Sequence, residues 1–288
     1  MKDIPTSPRI TQIKRKRKVG RIRLIVLSTI LFVSIIVALS YLSFDKRLSI
    51  KDISINGTSI INWDEVSKKI EENLSGKYLY LFSKRNSLIY PHDKIQNSLL
   101  VEFPRIEKID IKVRDFNTLI LTVKERLGSY LYCGEVLPEK KEEIGENCFF
   151  VNNDGYIFDK APYFSGDIYF KYYTEINKKD NRVLGSQIFE ADRFHKLARF
   201  VDGVTSLGFK PIYLVKSKEN NYSLYLKGVG DKPNPKVIFK EDNDLITILD
   251  NLKTAMGKKE FANEINGGYD TLSYIDLRFK NKVLYKFQ

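Results

Sequence analysis

One segment limits what the rest of this chain can be. From Leu24 to Phe44 there are 21 residues of Leu, Ile, Val, Ala, Phe, Tyr, Ser and Thr, without a single charged side chain. Wound as a helix this run extends ~31 Å, about the thickness of one bilayer hydrocarbon core. A helix packed on a globular domain keeps a polar face toward water, and this run has none. Its rival reading is a cleaved signal peptide, with Ala38-Leu39-Ser40 as the small-x-small cleavage triplet. The apolar run is longer than the ~7–15 residues of a signal core, so the sequence predicts an uncleaved anchor. No stretch after Phe44 is long enough to span a second time.

Charge gives the anchor a direction. The chain of 288 residues carries 48 Lys+Arg against 36 Asp+Glu, a net charge of +12. Residues 1–23 hold nine cations and one acid, so they alone carry 9 − 1 = +8 and the remainder 12 − 8 = +4. Seven of those cations lie between Lys14 and Arg23, directly before the apolar run. Positive charge stays on the cytoplasmic side of a span, which predicts a basic cytoplasmic tail at 1–23, a transmembrane helix at 24–44 and 244 residues outside. A nucleic-acid arm or nuclear-localisation string is the weaker reading of Lys14–Lys18, because an apolar run of spanning length follows it.

Beyond the anchor the pattern is α+β. Leu48, Ile50, Ile53 and Ile55 make a strand-like run with a slip at Lys51-Asp52, ended by Asn56-Gly57. Asn62 with Glu65 three residues later forms a capping-box pattern ahead of Trp63, Val66, Ile70 and Leu74, which share one helical face, and Gly76 is the expected stop. A polar link leads to Pro91, which opens a second helix with Ile95 and Leu99 inward, broken at Phe103-Pro104. Ile109, Ile111 and Val113 then alternate with polar residues, as do Leu119, Leu121 and Val123 after a turn at 114–117, so two half-buried strands are predicted. The order is β-α-α-β-β over 45–126, a sheet with two helices on one face.

Residues 127–288 read as a larger, β-rich α+β domain. Its elements are a hairpin with Asp154-Gly155 at the turn, a helix with Phe194, Leu197, Val201, Val204 and Leu207 inward, strands near 211–215, 222–226 and 236–240, and a helix after Asp244 with Leu245, Leu249, Leu252 and Met256 inward. Strands at 274–279 and 283–285, joined by a polar turn at Lys280-Asn281, close it.

Several words recur in a fixed order: Ile53-Ser54-Ile55-Asn56-Gly57, Phe103-Pro104-Arg105-Ile106, Lys112-Val113-Arg114, Asn117-Thr118-Leu119-Ile120, Val123-Lys124-Glu125-Arg126, and near the end Ile275-Asp276-Leu277-Arg278. In this order behind a basic tail and an apolar run, they resemble the FtsQ/DivIB cell-division family. That resemblance implies a POTRA domain at 45–126 and the family's β-domain at 127–288; residues 127–148 and 159–190 fit it least. It further implies a septal scaffold that recruits FtsB/FtsL-type single-pass coiled-coil partners through the end of the β-domain. Carried over by position, the partner-binding edge is Phe279 to Tyr285, with Arg278, Phe279, Val283, Leu284 and Tyr285 as its candidate residues. Arg278 either anchors that edge or forms an ion pair within the fold.

Cys133 and Cys148 are the only cysteines, 15 residues apart around a polar segment. Outside the cytoplasm a disulfide is chemically permitted; the other reading is two unpaired buried thiols. Catalytic patterns are thin. His92 is followed by Asp93, but neither His92 nor His195 has an adjacent Ser or Cys to complete a nucleophilic arrangement. Gly228-Val229-Gly230 lacks the third glycine of a dinucleotide loop, and Asp242-Asn243-Asp244 lacks the later ligands of a calcium loop. Asn56-Gly57-Thr58, Asn73-Leu74-Ser75 and Asn221-Tyr222-Ser223 match a glycosylation triplet that chance supplies often. The expectation is therefore a protein that is no enzyme, with no cofactor, no metal and no nucleic acid as a partner. Two other classes remain: a POTRA-bearing envelope transport or assembly accessory, and an envelope cell-wall enzyme.

Overall fold

A computed structural model describes residues 8–57, 60–178, 181–217, 219–230 and 232–288, except for the side chains of 8–17 and 141. Residues 1–7 of the expected tail, the side chains of its cations at 9 and 14–17, and Thr58 of the first glycosylation triplet lie outside the described residues. The fold is α+β, with one N-terminal apolar helix and a large β-sheet domain. The chain forms two compact units, Met1–Leu100 with Lys108–Lys124, and Val101–Glu107 with Glu125–Gln288.

The first unit begins with α1 (Pro8–Ser43), 36 residues long. The helix runs straight through Arg23, so the boundary between basic tail and apolar run is chemical and not conformational. Its part Lys18–Ser43 is long and apolar enough to cross a membrane, and no residue of its most apolar stretch is buried. Three hydroxyls in it are satisfied by the preceding turn: Ser28 and Thr29 donate to the Ile25 carbonyl and Ser34 to that of Leu31, each at 2.8 Å. Such back-bonding keeps a hydroxyl paired where water is absent.

The run expected as one strand from Leu48 is divided between two partners. Ser49 bridges Asn86, Ile50 N–H donates to the Arg85 carbonyl at 2.9 Å, and Ser87 N–H to that of Leu48 at 2.7 Å. Only Asp52–Asn56 forms β1. The slip in hydrophobic period at Lys51-Asp52 is where the chain changes partners. α2 (Trp63–Leu74) is capped by the Asn62 side chain, which accepts from Asp64 N–H at 3.1 Å. The segment expected as a polar link instead contains a two-stranded hairpin, β2 (Lys77–Tyr78) with β3 (Phe82–Ser83). α3 (His92–Glu102), β4 (Ile106–Arg114) and β5 (Thr118–Glu125) follow, with Asp115 and Phe116 at φ of 53° and 58° in the turn between the last two. The sheet order is β1-β5-β4, β1 running parallel to β5. Val66, Ile70, Leu74, Ile95 and Leu99 from the helices and Ile109, Ile111, Leu119, Leu121 and Val123 from the strands are buried. Each such aliphatic side chain contributes ~1.5–3 kcal/mol on burial.

The second unit contains β6 (Tyr130–Tyr132), β7 (Phe149–Val151), β8 (Ile157–Lys160), β9 (Phe170–Tyr173), α4 (Ala191–Ser206), β10 (Pro211–Lys216), β11 (Asn221–Leu226), β12 (Lys236–Lys240), α5 (Leu245–Met256), α6 (Lys259–Gly267), β13 (Leu272–Asp276) and β14 (Leu284–Phe287). They build one nine-stranded sheet, β14-β13-β12-β11-β10-β9-β6-β7-β8. Phe194, Leu197, Phe200 and Val204 of α4 and Leu245, Ile248 and Leu252 of α5 pack on the sheet with Tyr172, Tyr222, Leu224, Val237 and Phe239. Aromatic rings dominate this layer: Phe200 and Phe239 centroids are 4.7 Å apart, and Tyr222 and Phe239 5.2 Å.

The segments least like the expected domain, 127–148 and 159–190, supply β6 and β9, two central strands. Both are three or four residues long, and their apolar residues do not alternate with polar ones, since consecutive Tyr172 and Tyr173 are both buried. Period-two reasoning has no purchase on them. The Asp154-Gly155 turn forms as expected, with the Asn152 side chain accepting from Asp154 and Tyr156 N–H at 3.0 and 2.9 Å. Gly155 has φ +80°, and a Cβ there would lie 2.7 Å from the Phe194 ring.

Cys133, just after β6, is bonded to Cys148, just before β7. The bond ties two neighbouring antiparallel strands, closing a loop of about 15 residues that is worth ~3 kcal/mol in the chain-entropy account. The double substitution Cys133→Ser/Cys148→Ser is expected to lower unfolding free energy by about 3 kcal/mol. Urea titration of the full chain in detergent measures it; an unchanged midpoint would mean the bond does not constrain the unfolded state.

Candidate partner-binding edge

An open sheet ends in two strands whose outward N–H and C=O groups have no ladder partner. Here these strands are β8 and β14. The first is covered. Ile157 N–H donates to the Ser186 carbonyl at 2.9 Å, Gly185 N–H donates to the Ile157 carbonyl at 2.8 Å, and Tyr156 bridges Gln187. Arg105 adds a charged cover, its guanidinium 2.5 Å from Asp159 of β8. On β14, by contrast, the described residues show backbone pairing only toward β13 and its approach.

β14 is positioned by what lies beneath it. Tyr285 and Phe287 face inward and pack on the core. The Tyr285 ring stands at 89° to Phe261 of α6, with centroids 5.1 Å apart, and its hydroxyl donates to Glu264 Oε2 at 2.7 Å. That bond raises the phenol's pKa, because ionisation would place two anions side by side. Gly268, after α6, leaves room for the Phe287 ring, which a Cβ there would approach to 2.7 Å. Leu284 and Lys286 face out; Leu284 is 45% exposed.

The five residues expected to form the edge separate into three roles. Leu284 and Tyr285 are in β14. Val283 lies just before the strand, half-buried against the core. Phe279 is half-exposed in the connecting turn, where Lys282 N–H donates to its carbonyl at 3.2 Å. The edge strand therefore does not run from Phe279 to Tyr285; it occupies Leu284–Phe287. The cause is Arg278. Its backbone N–H and Nε donate to Asp276 Oδ1 at 3.0 and 2.9 Å, and a guanidinium N–H donates to Oδ2 at 2.6 Å. This local loop ends β13 at Asp276, and Asn251 of α5 holds the turn by donating to the Lys280 carbonyl at 3.0 Å. Arg278 forms the ion pair within the fold, with Asp276.

Asp276 is nearly fully buried. Burial alone would raise its pKa, but the side-chain and backbone bonds from Arg278 outweigh that, and the carboxyl ends below its ordinary value. A depressed carboxylate contributes stability that is present above its unfolded pKa and lost as pH falls through the folded one.

Other charged groups lie away from this edge. His195 Nε2 lies 3.1 Å from Asp154 Oδ1, a pairing across 41 residues that no local pattern signals. Both groups are half-exposed. Asp244 caps α5 by accepting from Ile246 and Thr247 N–H. Lys171 of β9 is buried, donates to the Gly166 carbonyl at 3.2 Å and has its pKa lowered chiefly by burial; nothing in its sequence context marks it. Among the described residues no group of three or more His, Cys, Asp or Glu is placed to hold a metal ion.

Replacing Arg278 by Met leaves a buried carboxylate unpaired. With the guanidinium itself about a third exposed, the expected cost is at the lower part of the range for such losses, about 2–3 kcal/mol at neutral pH. The cost should shrink as pH falls toward the carboxylate range, and Asp276→Leu/Arg278→Met should recover most of it. A pH-independent penalty in denaturant unfolding would contradict this account. Compared with known proteins, the chain matches no family model and no curated protein.

Proposed function

We propose that this chain is a membrane-anchored, non-catalytic scaffold of the bacterial division complex, and that its C-terminal strand recruits a partner by β-augmentation. In this reading α1 crosses the inner membrane with its basic end in the cytoplasm. The first unit is a POTRA domain, with the small hairpin β2–β3 inserted into the β-α-α-β-β order, and the second is the β-domain of an FtsQ/DivIB-like protein. The partners are FtsB/FtsL-type proteins at the septum.

The observation that carries the proposal is the unequal treatment of the two sheet edges. β8 is met at Ile157 by the backbone of Gly185 and Ser186 and at Asp159 by Arg105, while among the described residues β14 is paired only toward β13 and its approach. An exposed edge invites aggregation unless it is short, charged or filled. β14 has four residues and one outward lysine, so a short extended segment is its natural occupant. A partner strand would gain backbone hydrogen bonds along β14, while Leu284 on the outward face would set register.

Two measurements test this. Leu284→Asp leaves the inward Tyr285 and Phe287 in place and is expected to reduce capture of an FtsB-type partner at least tenfold, which corresponds to ~1.4 kcal/mol. Circular dichroism should stay unchanged; undiminished capture would reject the edge. Depletion of the protein in its own host is expected to give filaments without septa, and normal division would refute the division role.

A further inference from the structure

The hairpin β2–β3 is unlike an ordinary surface turn. Its tip is Leu79-Tyr80-Leu81, with Leu79 84% and Tyr80 92% exposed. Leu79 and Tyr80 also hold φ of 47° and 62°. The left-handed region is unfavourable for a non-glycine residue, and water-facing turns meet it with Gly, Asn or Asp. Here two large apolar side chains are kept in it, pointing away from the core.

The place of the hairpin explains the chemistry. Ser40 Oγ of α1 donates to the Leu81 carbonyl at 2.5 Å. Ser83 N–H donates to Ser43 Oγ at 3.1 Å, and the buried Asn86 side chain donates to the Ser43 carbonyl at 3.2 Å. Lys77 lies over the Phe44 ring, 5.1 Å from its centroid. The hairpin is thus hydrogen-bonded along the last turn of the apolar helix. Ser40 lies four residues before the end of the uncharged run at Phe44, or ~6 Å down the axis. If α1 spans a bilayer, the Leu81 carbonyl lies at the depth where headgroups meet acyl chains. At that depth a backbone group must be paired internally, and Ser40 pairs it.

Resting on the reading of α1 as a membrane span, we infer that the Leu79–Leu81 tip is a second membrane contact, inserted into the outer-leaflet interface beside α1. Leu79 and Leu81 bury apolar surface ~5–10 Å into the boundary layer, as interfacial segments do. Tyr80 takes the place of an interfacial aromatic with its hydroxyl toward water, matching the exposed Tyr41 on the helix. Lys77 on the hairpin and the exposed Lys46 and Arg47 after the helix lie at headgroup level, where cations meet anionic lipid. The contact makes the first unit a collar on its own anchor: helix and hairpin are two points of attachment, which limits swivelling about the helix axis.

The test uses the full chain in phosphatidylcholine/phosphatidylglycerol nanodiscs, with bromine carried on the lipid chains just below the headgroups or near the bilayer centre. Trp63 is the only native tryptophan, and it opens α2, ~16 Å of helix before the end from which the hairpin follows. Native protein is compared with Trp63→Phe/Tyr80→Trp and Trp63→Phe/Phe32→Trp. The indole introduced at position 80 is expected to shift to the blue and lose most of its emission to the shallow bromines. The indole at position 32 should be quenched by the deep bromines, and native Trp63 by neither. Quenching at 32 without quenching at 80 overturns the hairpin insertion alone. A blue-shifted but unquenched indole at 80 also overturns it, since protein and not lipid would then cover the tip. No quenching at 32 removes the span itself, and this inference with it.

Discussion

A polar backbone group removed from water must find a partner, and this requirement organises every notable part of the molecule. Along α1 the helix satisfies its own amides, and Ser28, Thr29 and Ser34 return their hydroxyls to carbonyls of the turn below. At the end of that helix the carbonyls of Ser43 and Leu81 are met by Asn86 and Ser40. In the large sheet seven strands are paired on both sides. Of the two that are not, β8 borrows the backbone of residues 185–187. β14 is left with the unmatched row, and the proposed partner is the strand that would complete it.

The same requirement explains why charge is so tightly placed near that strand. Asp276 sits under the sheet end because Arg278 bonds both of its oxygens. The pair is costly to bury and is not a general source of stability. Its consequence is geometric: it stops β13, turns the chain, and delivers Leu284 opposite Asp276. The disulfide acts comparably at the other half of the sheet, where Cys133 and Cys148 flank the paired strands β6 and β7. Short strands of three residues have little pairing of their own, and a covalent tie fixes them where long-range pairing alone is slow to form.

The elements read correctly from the sequence are those with a strong period or a strong punctuation mark. Val66, Ile70 and Leu74 line up on a helix face, Asn62 caps it, and Leu119, Leu121 and Val123 alternate into the core. The Asp154-Gly155 turn is similarly local, since positive φ is a property of the residue itself. Elements missed are those whose residues carry no period. β6 buries the successive residues Leu131 and Tyr132 and β9 the successive Tyr172 and Tyr173, and Lys171 of β9 is a charged residue held inside. The link after α2 was expected to be polar, yet Leu79, Tyr80 and Leu81 stand together on one exposed tip.

By itself the sequence determined the apolar span, the side on which charge accumulates, the α+β class and most element positions, because each depends on neighbours within a turn or a strand. It also named the last strands as the place of interest. Only the tertiary structure decided that the edge strand begins at Leu284 and not at Phe279, that Arg278 pairs with Asp276, that His195 meets Asp154, and that a hairpin returns to the foot of α1. Each of these joins a backbone or side chain to a partner whose position depends on how whole elements pack. Periodicity carries no record of such pairings, since a hydrogen bond across 41 residues leaves no trace in the spacing of either end.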